Sequence, residues 1–98
     1  MPKYVEITLL SKPGCHLCDA AREVVESTRA ELASRIETVL EEVNILEDAQ
    51  LARLHAEDIP VVFIAGKQHA IWRVDPDRLT KAIEKAAKPE LFGRMKKK

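Results

Sequence analysis

Lys12-Pro13-Gly14-Cys15-His16-Leu17-Cys18 holds both cysteines of the chain and separates a strand-like run from a helix-like one. Upstream, Tyr4-Val5-Glu6-Ile7-Thr8-Leu9-Leu10 is rich in residues that favour an extended backbone. Ser11-Lys12-Pro13-Gly14 then ends the strand. Downstream, Leu17, Ala20, Ala21, Val24, Val25, Thr28 and Leu32 recur at helical spacing, which predicts a helix over 15–35. A Cys-x-x-Cys pair at a helix start is suited to thiol–disulfide chemistry. Unpaired N–H groups and the positive end of the helix dipole favour a thiolate there. Residues three apart share one helix face, so the two sulfurs can meet.

The rest of the chain extends this β-α start. A second strand is predicted within 36–45, where Val39, Val43 and Ile45 interleave with acidic residues. Asp48 can cap a short helix containing Leu51, Ala52 and Leu54. Ile59-Pro60-Val61-Val62-Phe63-Ile64-Ala65 is a continuous apolar run, as expected of a strand buried on both faces. Gly66-Lys67 fits a two-residue hairpin with glycine first. The fourth strand is expected over 68–74, with Ala70, Trp72 and Val74 on one side and His69, Ile71 and Arg73 on the other. Asp75-Pro76-Asp77 marks the start of a last helix, carrying an N-cap, a first-turn proline and an acid that complements the dipole. Leu79, Ala82, Ile83, Ala86 and Ala87 form its apolar stripe, and Pro89 should stop it.

The order β-α-β-α-β-β-α predicts an α/β domain with a four-stranded mixed sheet and helices on both faces. Strands one and two should be parallel, through a right-handed crossover. The domain is expected over 1–88 and a basic tail over 89–98. Ninety-eight residues suffice for one real core. Two cysteines are too few for a secreted disulfide scaffold. The sequence has no signal-peptide pattern and no apolar run of membrane-spanning length. A soluble, cytoplasmic monomer is the expectation, with no membrane role. Charge is segregated: residues 1–60 hold 6 Lys/Arg against 12 Asp/Glu, and residues 61–98 hold 10 against 4. Such polarity can steer a partner, although charge runs are ordinarily solvated faces. No basic face with aromatic support points to nucleic acid.

This order, Lys12-Pro13-Gly14-Cys15-x-x-Cys18 after strand one, and Ile59-Pro60 opening strand three resemble the thioredoxin-like fold, and within it the glutaredoxins. The likeness extends over roughly residues 3–87. It implies roles residue by residue. Cys15 would be the attacking thiolate and Cys18 the resolving thiol. Lys12 would contact a carboxylate of glutathione. Pro60 would be cis and lie beside the cysteines, and Ile59 would offer its backbone to a bound thiol peptide. Glutathione is thereby implied as a reductant, with nothing tightly bound as cofactor. Three positions depart from the family. His16-Leu17 stands for the usual Pro-Tyr, and Asp58 for the usual Thr. The Gly-Gly that lets glutathione approach after strand four is replaced by Ala70-Ile71-Trp72-Arg73, which counts against glutathione.

The residues therefore point to a thiol–disulfide oxidoreductase acting on a disulfide-containing protein or a small thiol. Lys12 and, when protonated, His16 favour the Cys15 thiolate, and Asp19 opposes it. Other readings are a non-catalytic binding module that uses the groove beside Pro60, and a metal or iron–sulfur carrier. Zinc wants about four ligands. Two thiolates with His16 fall short of that, and His55 and His69 lack ligand spacing, so no metal ligands are assigned. Trp72 is expected to be core or half-buried.

Overall fold

The computed structural model describes residues 4–87, so the expected tail and the stop at Pro89 lie outside the described residues. Eight elements follow one another. They are β1 (Tyr4–Ser11), α1 (His16–Leu32), β2 (Glu37–Asn44), a 3-10 turn (Ile45–Glu47), α2 (Ala49–His55), β3 (Val61–Ile64), β4 (Lys67–Ile71) and α3 (Pro76–Ala87). The sheet order is β2-β1-β3-β4. β1 and β2 are parallel, in register from Tyr4 opposite Glu37 to Ser11 opposite Asn44. β3 runs antiparallel to both β1 and β4.

Alternation along β1 divides the core in two. Val5, Ile7 and Leu9 join Val62 and Ile64 beneath Ala21, Val25 and Leu32 of α1 and Leu79 and Ile83 of α3. The second cluster lies around Leu10, Cys18, Ile45, Ile59 and Val61, with Val43, Leu51, Phe63 and Ile71 packed against it. Helices thus lie on both faces, but unequally. α2 has no fully buried residue, and Tyr4 and Val39 remain exposed. Asp48 caps α2 as expected, its carboxylate accepting from the N–H groups of Gln50 and Leu51 at 3.0 and 3.2 Å. At α3, Asp75 accepts from the Asp77 N–H at 3.2 Å.

Several boundaries differ from expectation. α1 ends at Leu32, whose carbonyl takes the N–H groups of Arg35 and Ile36 at 2.8 Å. β3 is shorter than the apolar run, because Ile59 and Pro60 are buried outside the ladder. The β3–β4 loop is Ala65-Gly66, one residue earlier than predicted, since Ile64 pairs with Lys67. Both loop residues have positive φ (52° and 84°), the type I′ pattern that matches strand twist. A register shift between Val62 and Phe63 leaves His69 without an opposite partner. Burial pushes the His69 pKa below its ordinary value, and nearby Arg78 adds to this. The bulge breaks the expected 68–74 alternation, and β4 ends at Ile71. Trp72 then turns out of the strand at φ 67° and is 52% exposed, not core. Ala86 is exposed as well, so the α3 stripe narrows to Leu79 and Ile83, with Ala82 and Ala87 partly buried.

A polar clasp joins the outer strand β2 to α1 and β1. Arg22 Nε donates to Glu42 Oε1 at 2.8 Å, and Arg22 Nη1 donates to Asp19 Oδ1 at 2.9 Å. Buried Ser11 donates its hydroxyl to Glu42 Oε2 at 2.8 Å. The Arg22 hydrogen bond holds the Glu42 carboxyl below its usual pKa, with Ser11 assisting and partial burial opposing. These bonds pin the strand end and the first helical turns on either side of the cysteine loop.

Two outcomes follow from this packing. Leu79→Ala, at a site with no exposure, should cost about 2–5 kcal/mol in urea unfolding; a loss below about 1 kcal/mol would mean that α3 does not seal the core. Glu42→Gln tests the clasp through pH. A depressed folded pKa gives stability that is present above the unfolded carboxyl value near 4.3 and is lost as pH falls through the lower folded value. The variant should therefore be less stable at pH 7, by under about 1 kcal/mol because the pair is a third exposed. That deficit should shrink towards pH 3, and an equal deficit at both pH values would contradict the clasp.

Candidate functional site

The site begins where β1 stops. Pro13 and Gly14 turn the chain, and Gly14 sits at φ 73°, a conformation open to glycine at little cost. Cys15 follows in an extended conformation (φ −106°, ψ 110°) as the N-cap of α1. Its side chain takes the place usually held by a Ser, Thr or Asp oxygen. The Cys18 N–H donates to Cys15 Sγ at 3.1 Å, and the Asp19 N–H donates to the Cys15 carbonyl at 3.1 Å. The helix thus starts at His16, one residue later than predicted, with the first cysteine as its cap.

One helical turn brings the cysteines face to face. Their Cα atoms are 5.2 Å apart and their sulfurs lie at disulfide bonding distance. Their exposures differ. Cys18 is fully buried in the second core cluster, whereas Cys15 is partly exposed at its edge. The Ile59–Pro60 peptide bond is cis. Ile59 belongs to the same cluster as Cys18, and Cys15 packs against that cluster, so the structure gathers these predicted site residues from two loops. Neither polar group of the Ile59 backbone hydrogen-bonds to another described residue. Lys12 is exposed and lines a cavity of about 340 Å³ with Gly14, Asp19, Arg22 and Glu42. His16 is exposed on the first turn of α1.

Trp72, expected to be core or half-buried, is half-exposed and held by two hydrogen bonds to the loop that carries Ile59 and Pro60. The Trp72 N–H donates to the Pro60 carbonyl at 2.8 Å, and Trp72 Nε1 donates to the Glu57 carbonyl at 3.0 Å. Trp72 is thereby fastened to both sides of the Asp58–Ile59 step, by its backbone on one side and its indole on the other. With Leu17, 45% exposed, it borders a groove of about 490 Å³ floored by Ala20, Val24 and Val74. Leu17 falls on the apolar stripe of the sequence, and no pattern there marks it as exposed. Behind the proline, His55 Nδ1 approaches Asp58 Oδ2 at 3.5 Å without hydrogen-bond geometry, and its ring meets Phe63 edge-on at 6.3 Å. Among the described residues, no group of three or more His, Cys, Asp or Glu is gathered closely enough to hold a metal ion. No described helix is long and apolar enough to cross a membrane.

Known proteins share this arrangement. The chain is 32% identical over 82 residues to a thioredoxin of Methanocaldococcus jannaschii, covering 83% of this chain and 94% of that one. A solved structural-genomics target protein from X. campestris superposes with a TM-score of 0.65 at 29% identity, over 85% of this chain and 99% of its own. A mutant thioredoxin from Halobacterium salinarum superposes at 0.62 with 21% identity, over 87% and 76% of the two chains, a likeness of fold alone. The model of the glutaredoxin-like domain (DUF836) matches residues 6–84. The capped Cys15-x-x-Cys18 pair, the mixed sheet and the cis Pro60 loop accordingly stand in a recognised frame: the chain belongs to the glutaredoxin-like family of the thioredoxin-fold superfamily.

Proposed function

We propose that the protein is a thiol–disulfide oxidoreductase in which Cys15 attacks and Cys18 resolves. The observation that carries this reading is the asymmetry of the pair: a partly exposed cysteine at the helix cap, its sulfur accepting an N–H, against a fully buried cysteine one turn on. The thiolate is the nucleophile in such exchange. Cys15 Sγ⁻ attacks one sulfur of a substrate disulfide, forms a mixed disulfide and expels the other sulfur as thiolate. Cys18, deprotonated, attacks Cys15 Sγ, closes the Cys15–Cys18 disulfide and releases the second substrate thiolate. Two electrons pass from the protein dithiol to the substrate, and solvent supplies the protons that the product thiols take up.

The surroundings suit these steps. Exposed Lys12 supplies positive charge on the loop that leads to the attacking sulfur, and it can draw in a carboxylate. Among the described residues, the backbone groups of Ile59 are unpaired. Glutathione is a candidate reductant that would return the disulfide to the dithiol. A reducing compartment such as the cytoplasm, and action as a monomer, fit a dithiol that must be recycled.

Cys15→Ser keeps a good helix cap, so lost activity would not reflect a lost fold. Reduction of a model disulfide should fall to the uncatalysed rate in this variant. Cys18→Ser should accumulate a mixed disulfide on Cys15, visible as an added substrate mass on the intact protein. Activity retained by Cys15→Ser would overturn the assignment of roles. A well-folded, reduced wild type that exchanges with no disulfide would leave a non-catalytic binding module as the reading.

A further inference from the structure

A second cavity, of about 340 Å³, lies between the β3–β4 hairpin and α3. It is at the end of the sheet away from the cysteines. β3 runs from Val61, opposite Leu10 near the cysteine loop, to Ile64, opposite Ile7. The lining there is partly aliphatic: Ile64 and Ala65 from the hairpin, Ala82 and Ala86 from α3. The two α3 alanines are one turn apart and so share a face. Their small side chains leave open the space that longer ones would fill.

The charge around this cavity has one sign. Lys67 of β4 and Lys85 of α3 line it together with His69, and no carboxylate does. Elsewhere the surface cations are matched: Arg22, Arg29 and Arg35 each meet a carboxylate at 2.9 to 3.1 Å. Lys67 and Lys85 are exposed and make no ion pair among the described residues. Arg78 reaches Asp75 only at 4.0 Å, and its field adds to burial in holding the His69 pKa below the ordinary value. Positive charge is therefore felt at the half-buried imidazole that lines the cavity.

Like charges gathered about one cavity repel, and an anion relieves that repulsion. An aliphatic floor open to water gains by being covered. One ligand meets both needs if it has an anionic head and an apolar body. The space is at the lower end of the range of ligand cavities, about 300–1,000 Å³, so the body must be short. We propose that the cleft between the β3–β4 hairpin and α3 binds a small amphipathic anion: a free carboxylate with a short aliphatic chain, its head held by Lys67 and Lys85 and its chain against Ile64, Ala65 and Ala82. This site is separate from the cysteines and does not depend on the reaction they carry out.

The test is an NMR titration of the full chain, following the His69 ring and the amides of Ala65 and Ala82. The probes are octanoate, butanoate, octanol and a hexaglutamate peptide. Octanoate should shift these signals saturably, and should bind at least about tenfold more tightly than butanoate, which lacks four methylenes, or octanol, which lacks the charge. It should also raise the His69 pKa, because a carboxylate nearby favours the imidazolium. The double variant Lys67→Gln/Lys85→Gln, at two exposed positions, should lose about tenfold in octanoate affinity and none in octanol affinity. Octanol binding as well as octanoate, no saturable shift at these positions, or wild-type octanoate affinity in the double variant would overturn the proposal. So would hexaglutamate binding more tightly than octanoate, which would assign the cleft to an acidic polypeptide. The same signals moving on dilution of the protein alone would assign it to a second copy of the chain and overturn the proposal too.

Discussion

The structure turns on a sulfur used as a helix cap. The first N–H groups of α1 need an acceptor, and Cys15 Sγ takes the one from Cys18. This one bond fixes where the helix starts, which way Cys15 points, and that Cys18 lies one turn further on and buried. It also puts Cys15 Sγ in a field of N–H dipoles, worth more to a thiolate than to a thiol. Sequence, local structure and reactivity meet at that contact. Gly14 lets the chain turn into it, and the Arg22–Glu42–Ser11 clasp holds the strand end and the helix start together behind it.

Around this cap, three loops converge from distant parts of the chain. The β1–α1 loop carries the cysteines, the α2–β3 loop carries Ile59 and Pro60, and the segment after β4 carries Trp72. Burial draws the first two together, because Cys15, Cys18 and Ile59 share one apolar cluster. Hydrogen bonds fasten the third, because Trp72 donates to carbonyls on either side of Asp58 and Ile59. The order of the sheet makes this possible. β1 and β3 are adjacent and antiparallel, so the end of β1 and the start of β3 fall at the same edge.

Element order, parallel pairing of the first two strands, the caps at Asp48 and Asp75, and the cysteine site were legible because each has a local cause. A capping residue, a β-branched run or a Cys-x-x-Cys spacing acts over a few residues. What escaped the sequence depends on register. The hairpin loop moved by one position because Ala65 adopts a left-handed conformation that alanine rarely takes. The bulge at His69 followed from that pairing and ended the alternation on which the placement of Trp72 rested. Leu17 reads as stripe, but the buried face of α1 runs through Cys18, Ala21, Val25, Thr28 and Leu32, and Leu17 lies beside that face. The functional neighbours of the cysteines were therefore harder to read than the cysteines themselves.

Thiol exchange by this protein requires that Cys15 and Cys18 form a reversible disulfide, and equilibrium in glutathione buffers of stepped potential tests that most directly. After acid quenching and alkylation, intact mass reports the thiol state at each potential. One two-electron transition between dithiol and Cys15–Cys18 disulfide is expected, with a midpoint between about −180 and −270 mV. Both thiols remaining reduced and unmodified across that range would contradict it.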